Sequence, residues 1–180
     1  MPAVTAGFCV ARLCMKNSRY YEYSFSNKKK NREKEWKREH HAGGFKCSHC
    51  KRWVIINPYM GTANRNHCPQ CLWSKHVDQQ KGDREADCHG GMRPIGLTFK
   101  HEGQFKQGEL MLVHECATCL KISINRIARD DTNEGILQVF ASSKSNRQLR
   151  AALKNAGIVL LTNQDKKEVD AQLFGISGRL

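Results

Sequence analysis

The 180-residue sequence predicts a small α+β fold, in which a cysteine-held β domain lies between a basic N-terminal arm and a helix–strand–helix C-terminal extension. Three observations predict it. Seven of the nine cysteines fall between Cys47 and Cys119. The formal charge of +13 divides into +6, +3 and +4 over residues 1–44, 45–140 and 141–180, so cations gather at the ends and metal-type ligands in the middle. The hydrophobic fraction is 39%, even with Tyr counted, below the about 45–50% of ordinary domains. A large apolar core is therefore not expected. No stretch approaches the about 18 apolar residues that span a bilayer, which excludes a membrane-spanning helix. The cation excess points to an anionic partner, most often nucleic acid, with a merely solvated basic surface as the alternative.

Taken in order, the arm at 1–44 begins with a short apolar run from Ala3 to Leu13. It lacks a preceding basic stretch and contains Arg12, so a cleaved secretory signal is not expected. Met15 is an alternative start, and Cys9 and Cys14 receive no role. Residues 17–41 interleave Tyr20, Tyr21, Tyr23, Phe25 and Trp36 with Lys28, Lys29, Lys30, Arg32, Lys34, Lys37 and Arg38. Aromatic faces that stack on bases, set among cations that meet phosphates, suit a single-stranded RNA arm. The alternative is a solubilising tail, partly disordered, that turns helical around residues 28–40.

The strongest signal follows at Cys47-x2-Cys50, seventeen residues, and Cys68-x2-Cys71. Two such knuckles 15–20 or so residues apart suit one tetrahedral zinc, because each tight turn aims two thiolates at the ion. Four thiolates close the coordination sphere, so the site is expected to be structural. The alternation around Phe45 and over residues 53–56, followed by a turn at 57–61, predicts a strand, a loop and a return strand. Disulfides compete for these cysteines, but the spacing, the odd total and the absent signal argue against them. A second zinc is expected at Cys88, Cys116 and Cys119, with His76 as fourth ligand and His114 as the alternative. His114 stands two before Cys116, a position better suited to packing beside the knuckle. An echo between residues 66–72 and 114–120 suggests two related halves of one zinc-ribbon-like domain.

Further strings carry a family resemblance. Arg65-Asn66-His67-Cys68-Pro69-x-Cys71-Leu72-Trp73-Ser74-x-His76-Val77-Asp78, Gly82-Asp83-Arg84, Cys88-x-Gly90-x-Met92-x-Pro94-Ile95-Gly96-Leu97, His114-x-Cys116-x2-Cys119 and Asn125-Arg126-Ile127-Ala128-x-Asp130-Asp131 resemble the RNHCP domain family of bacterial proteins over about residues 44–140. The resemblance implies a compact zinc-bound domain in a bacterial, cytoplasmic setting and no established activity. Within it, Arg65, Arg84 and Arg126 are candidates for nucleic-acid contact. The competing role is pairing with Asp78, Asp83, Asp130 and Asp131. Asn66 and Asn125 are expected to hold turns, and Trp53 and Trp73 to be core.

In the extension, Ser145 as N-cap, Leu149, Ala152, Leu153 and Ala156 at helical spacing and Gly157 as stop predict a helix with Arg147, Arg150 and Lys154 on its outer face. Residues 158–162 read as a strand, and 165–174 as a second helix with Val169, Leu173 and Phe174 inward. The whole is expected to be a structural-zinc module that binds RNA or a ribonucleoprotein such as the ribosome, without catalytic residues and without a small-molecule substrate. The rivals are a metal-assisted nuclease, with His67 or His76 as base and Asp78, Asp83, Asp130 or Asp131 on a divalent ion, and an adaptor for an acidic protein. No Walker, GxSxG, HExxH or Rossmann string is present.

Overall fold

The computed structural model describes residues 18–60, 64–101 and 107–175. Cys9 and Cys14, with the apolar run around them, lie outside the described residues. The protein is a small α+β fold built on antiparallel sheets. A long helix α1 (Ser18–His41) leads into a hairpin of β1 (Gly44–Lys46) and β2 (Trp53–Ile55). A four-stranded meander follows in spatial order β3 (Ser74–Lys75), β4 (Gly91–His101), β5 (Gln107–Cys116) and β6 (Ile122–Arg126). Three short helices, α2 (Asn133–Ser143), α3 (Arg147–Asn155) and α4 (Lys166–Phe174), complete the chain.

The centre of the sheet is β5, where Leu110 to His114 are all buried. Leu97, Leu110 and Leu112 pack with Ile136 and Phe140 of α2, Val169 of α4, and Leu72 and Leu161. Beyond β6, which covers Met111 to Glu115, the edge of β5 is held by Gln172 of α4. Its carboxamide oxygen accepts from Leu110 N–H at 2.7 Å and its nitrogen donates to the Gly108 carbonyl at 3.2 Å. Pro94 sits beside a register shift in β4. β3 pairs only with Gly91 and Met92, so the missing N–H of Pro94 leaves no ladder partner wanting.

The arm is not separate from the domain. Trp36 is buried against Phe45 with ring centroids 5.5 Å apart, and Lys75 of β3 lies 5.3 Å from the indole centroid while pairing with Glu39 at 2.5 Å. Trp36 therefore anchors α1 and is not free to stack on bases. The extension also departs from expectation. Asn146, one residue beyond Ser145, is the N-cap, its side chain accepting from Leu149 N–H at 3.0 Å. Residues 158–162 form no strand: Leu161 N–H reaches Leu97 at 2.9 Å, and Thr98 Oγ1 donates to Val159 at 2.7 Å, in place of a ladder. Phe174 is half-exposed, because α4 turns Val169 to the core and ends there. The expected core residue Trp53 is 50% exposed, since β2 turns Val54 inward instead.

Candidate metal centres

Three Cys-x2-Cys turns have one geometry. The N–H of the first cysteine reaches the carbonyl five residues on, Cys47 to Arg52, Cys68 to Trp73 and Cys116 to Lys121, each at 2.9 Å. Its carbonyl accepts from the residue after the second cysteine, Lys51 at 3.2 Å, Leu72 at 2.9 Å and Leu120 at 3.0 Å. Those three residues take φ of 64°, 60° and 63°, the left-handed region. This turn leaves both thiols on its inner side, and its strain is sustained by the two hydrogen bonds. The echo between residues 66–72 and 114–120 is this turn, and the first knuckle shares it.

The first two knuckles face one another. Cys47 Sγ lies 3.5 Å from Cys71 Sγ, and Cys50 Sγ lies 3.6 Å from Cys68 Sγ. Disulfides need about 2.0 Å, whereas sulfurs bound at about 2.3 Å to one tetrahedral ion lie about 3.8 Å apart. The spacing fits an ion. Without one, two of these thiols resist ionisation: hydrogen bonding to Cys47, aided by burial, pushes the Cys68 thiol up to about 12, and burial pushes Cys71 up to about 11, while the hydrogen bond with Cys68 lowers Cys47. A central cation would reverse that preference.

The second group draws on three segments. Knuckle two runs directly into β3, which delivers His76 five residues after Cys71. His76 N–H donates to the Gly90 carbonyl at 2.8 Å, placing the loop that carries Cys88 alongside. The third knuckle closes the group from the end of β5. Cys88 Sγ is 3.7 Å from Cys116 Sγ, and His76 Nδ1 is 3.3 Å from Cys119 Sγ. Gly90 is required here, because a Cβ would meet Thr118 Oγ1 at 2.6 Å and Cys116 Sγ at 3.1 Å. All ligand atoms within each group, Cys47/Cys50/Cys68/Cys71 and His76/Cys88/Cys116/Cys119, lie within 4.8 Å of one another, so each could hold a metal ion.

His114 belongs to neither group. It is fully buried, with Nε2 2.7 Å from the Leu72 carbonyl and Nδ1 3.0 Å from Asn125 Nδ2, and burial holds its pKa down to about 3. It braces knuckle two against β5 and β6 as a neutral ring. Replacing His76 with Ala is expected to release one of two ions to a competing chelator, whereas His114→Asn retains both. Elemental analysis after dialysis checks this, and retention of two ions by His76→Ala would place the fourth ligand elsewhere.

The string at residues 65–69 has a second job that spacing did not reveal. Arg65 is 2% exposed. Its guanidinium donates to Asp130 at 2.6 and 2.8 Å and to Asp131 at 3.0 Å. His67 Nε2 is 2.8 Å from Asp131, whose carboxylate also accepts from Ala128 N–H at 2.7 Å. Arg65, a candidate for nucleic-acid contact, is thus turned inward and is unavailable to phosphate. Arg84 is also tied down: Nη2 donates to the Asn64 carbonyl at 2.7 Å and Nη1 is 3.5 Å from Asp78. Arg126 pairs with Glu109 at 2.9 Å on the surface. Asp83 accepts from the N–H groups of Gln79, Gln80 and Glu85 and shapes a turn.

Of the arm cations, Lys28, Lys30, Lys34, Lys37 and Arg38 are exposed. Lys37 pairs with Glu33 and Lys29 with Asp87, each at 2.7 Å, while Arg32 is partly buried. In the extension Arg147 and Lys154 are exposed and Arg150 is partly so. Lys144, Arg147 and Arg150 line an open cleft of about 440 Å³ with Ser145, Thr162, Asn163 and Gln164, and no carboxylate lines it. Among the described residues no helix is long and apolar enough to cross a membrane.

Residues 42–137, from the end of α1 to the middle of α2, match the family model of the RNHCP domain. No curated protein and no solved structure matches the chain.

Proposed function

The chain belongs to the RNHCP domain family, and we propose that it is a structural-zinc module that binds RNA or a ribonucleoprotein. Zinc suits the ligand chemistry, since one group offers four thiolates and the other three thiolates and an imidazole. With four protein ligands each, a tetrahedral ion keeps no open position for a substrate. The metals hold the scaffold and the cations act.

The observation that carries the RNA reading is the cleft beside α3, where Lys144, Arg147 and Arg150 converge with polar side chains and no carboxylate lines the walls. Guanidinium and ammonium groups so placed match phosphate oxygens, and the exposed cations of α1 add a second strip. The nuclease rival loses its parts. Asp130 and Asp131 are engaged by Arg65, Asp83 by backbone N–H groups, and His76 by the cysteine group.

Electrophoretic mobility shift with structured RNA tests the proposal. Binding is expected at low salt and is expected to weaken about tenfold or more between about 50 and 200 mM salt, as counterions released from the phosphates are replaced. Arg147→Glu with Arg150→Glu is expected to flatten that dependence. Absent binding at low salt, or affinity indifferent to salt, would refute the reading. Recovery of one protein partner that survives ribonuclease would favour the adaptor instead.

A further inference from the structure

The first hairpin has two unlike faces. Val54 is 3% exposed and packs on the first cysteine group, whereas Trp53 and Ile55 are 50% and 66% exposed, and Tyr59, just beyond β2, is 86% exposed. Trp53 and Ile55 share the outer face because they stand two apart on a strand, and their partners across the pair are Lys46 and Gly44. The indole lies over Gly44. A Cβ at that position would meet the Val54 carbonyl at 2.5 Å and Trp53 Cε2 and Nε1 at 2.7 Å, so glycine is what allows both the strand and the ring to come this close to β1. The indole is thereby in contact with β1 at Cε2 and Nε1 while half of the residue stays exposed to solvent. The hairpin beneath it is pinned by the knuckle through the Cys47 N–H to Arg52 carbonyl bond.

The hairpin itself is cationic. No Asp or Glu occurs between Glu39 and Asp78, and Lys46, Lys51 and Arg52 are all exposed on this hairpin. We infer that this face is a stacking platform for the bases of single-stranded RNA, with Trp53 as its anchor and Lys46, Lys51 and Arg52 meeting the neighbouring phosphates. The inference rests on the RNA-binding reading above and gives it a further surface, whose aromatic chemistry the α3 cleft lacks. A seated aromatic face takes any base, and cations beside it follow the backbone. Only an unpaired strand can offer such a face, since duplex bases are stacked on one another. A protein partner fits less well, because the two apolar side chains of this face, Trp53 and Ile55, fall far short of the about 20–30 residues a side of a stable interface.

The test is a titration of the zinc-loaded full chain with a mixed-sequence single-stranded RNA of about ten nucleotides, followed by tryptophan fluorescence and by anisotropy of labelled RNA. Wild type is expected to bind with quenching of indole emission. Trp53→Phe keeps the affinity within a few-fold and loses the quenching, and Trp53→Ala weakens binding by about tenfold. Because Trp53 is half exposed and faces away from the cysteine core, thermal unfolding of the zinc-loaded variants is expected to stay within a few degrees of wild type. Quenching that persists in Trp53→Phe, or unchanged affinity in Trp53→Ala, overturns the inference and leaves the face to a protein partner. Failure of wild type to bind any RNA, single-stranded or structured, overturns the wider reading as well.

Discussion

Stripping both ions with a strong chelator is expected to unfold the N-terminal half of the domain and abolish a single cooperative thermal transition. The reason is that the small core of this lobe is built around its metal ligands. Cys47 and Cys68 are themselves core residues alongside Trp36, Phe45, Val54 and Val77, and Cys50 and Cys71 pack at its margin. Structural zinc contributes about 10–16 kcal/mol per site at neutral pH, comparable with the about 5–15 kcal/mol total stability of a typical domain. The sheet is different. Leu97, Leu110 and Leu112 are covered by Ile136, Phe140 and Val169 without help from any ligand. Hydrogen exchange read by mass spectrometry is therefore expected to show residues 44–56 and 67–77 losing protection on chelation, while β4 and β5 retain part of theirs. Equal protection in metal-free and metal-loaded protein would refute a structural role for the ions.

The second large effect is expected at Asp131. Its side chain is fully buried and faces Arg65 and His67, whose side chains are 1% and 2% exposed. Asp131→Asn leaves the Arg65 charge in the interior with only the partly exposed Asp130 as counter-ion, and removing one partner of a buried pair costs about 3–5 kcal/mol. Asp130→Asn is expected to cost about 1 kcal/mol or less, because water reaches that carboxylate. Urea unfolding of the metal-loaded variants measures both. Equal losses for the two would mean that the buried network is not what joins the residue 65–69 string to the segment after β6.

How much of this was legible depends on range. The spacing of the cysteines named the residues that the structure gathers into two groups, because each knuckle is local and its turn is written in six residues. His76 was separable from His114 for a local reason too, the position of His114 two before a knuckle. Arg65 was legible only as a choice between phosphate contact and pairing with aspartates such as Asp130 and Asp131: Asp131 lies 66 residues away, and an arginine beside a metal motif looks the same whether it faces phosphate or carboxylate. Trp53 was misplaced because alternation gives the period of a strand and not which face is covered. β4 escaped notice because Pro94 and Gly96 interrupt its pattern, and its continuity is visible only when β5 lies beside it. The boundary at residue 140 fell inside α2, since charge shifts there while packing does not.

The two metal groups follow one another along the chain and do not interleave, which has a bearing on how the molecule assembles. The ligands of the first group span 24 residues from Cys47 to Cys71, and those of the second span 43 from His76 to Cys119. Loop closure grows costlier only slowly with length, by about 0.5 kcal/mol between these two, so the order of events is set by availability. A ribosome that has released Cys71 has released a complete first centre, while the second still waits for β4, β5 and the knuckle between β5 and β6. Once closed, the first centre hands β3 and His76 to the sheet as an already oriented edge, a nucleus on which the later strands can register.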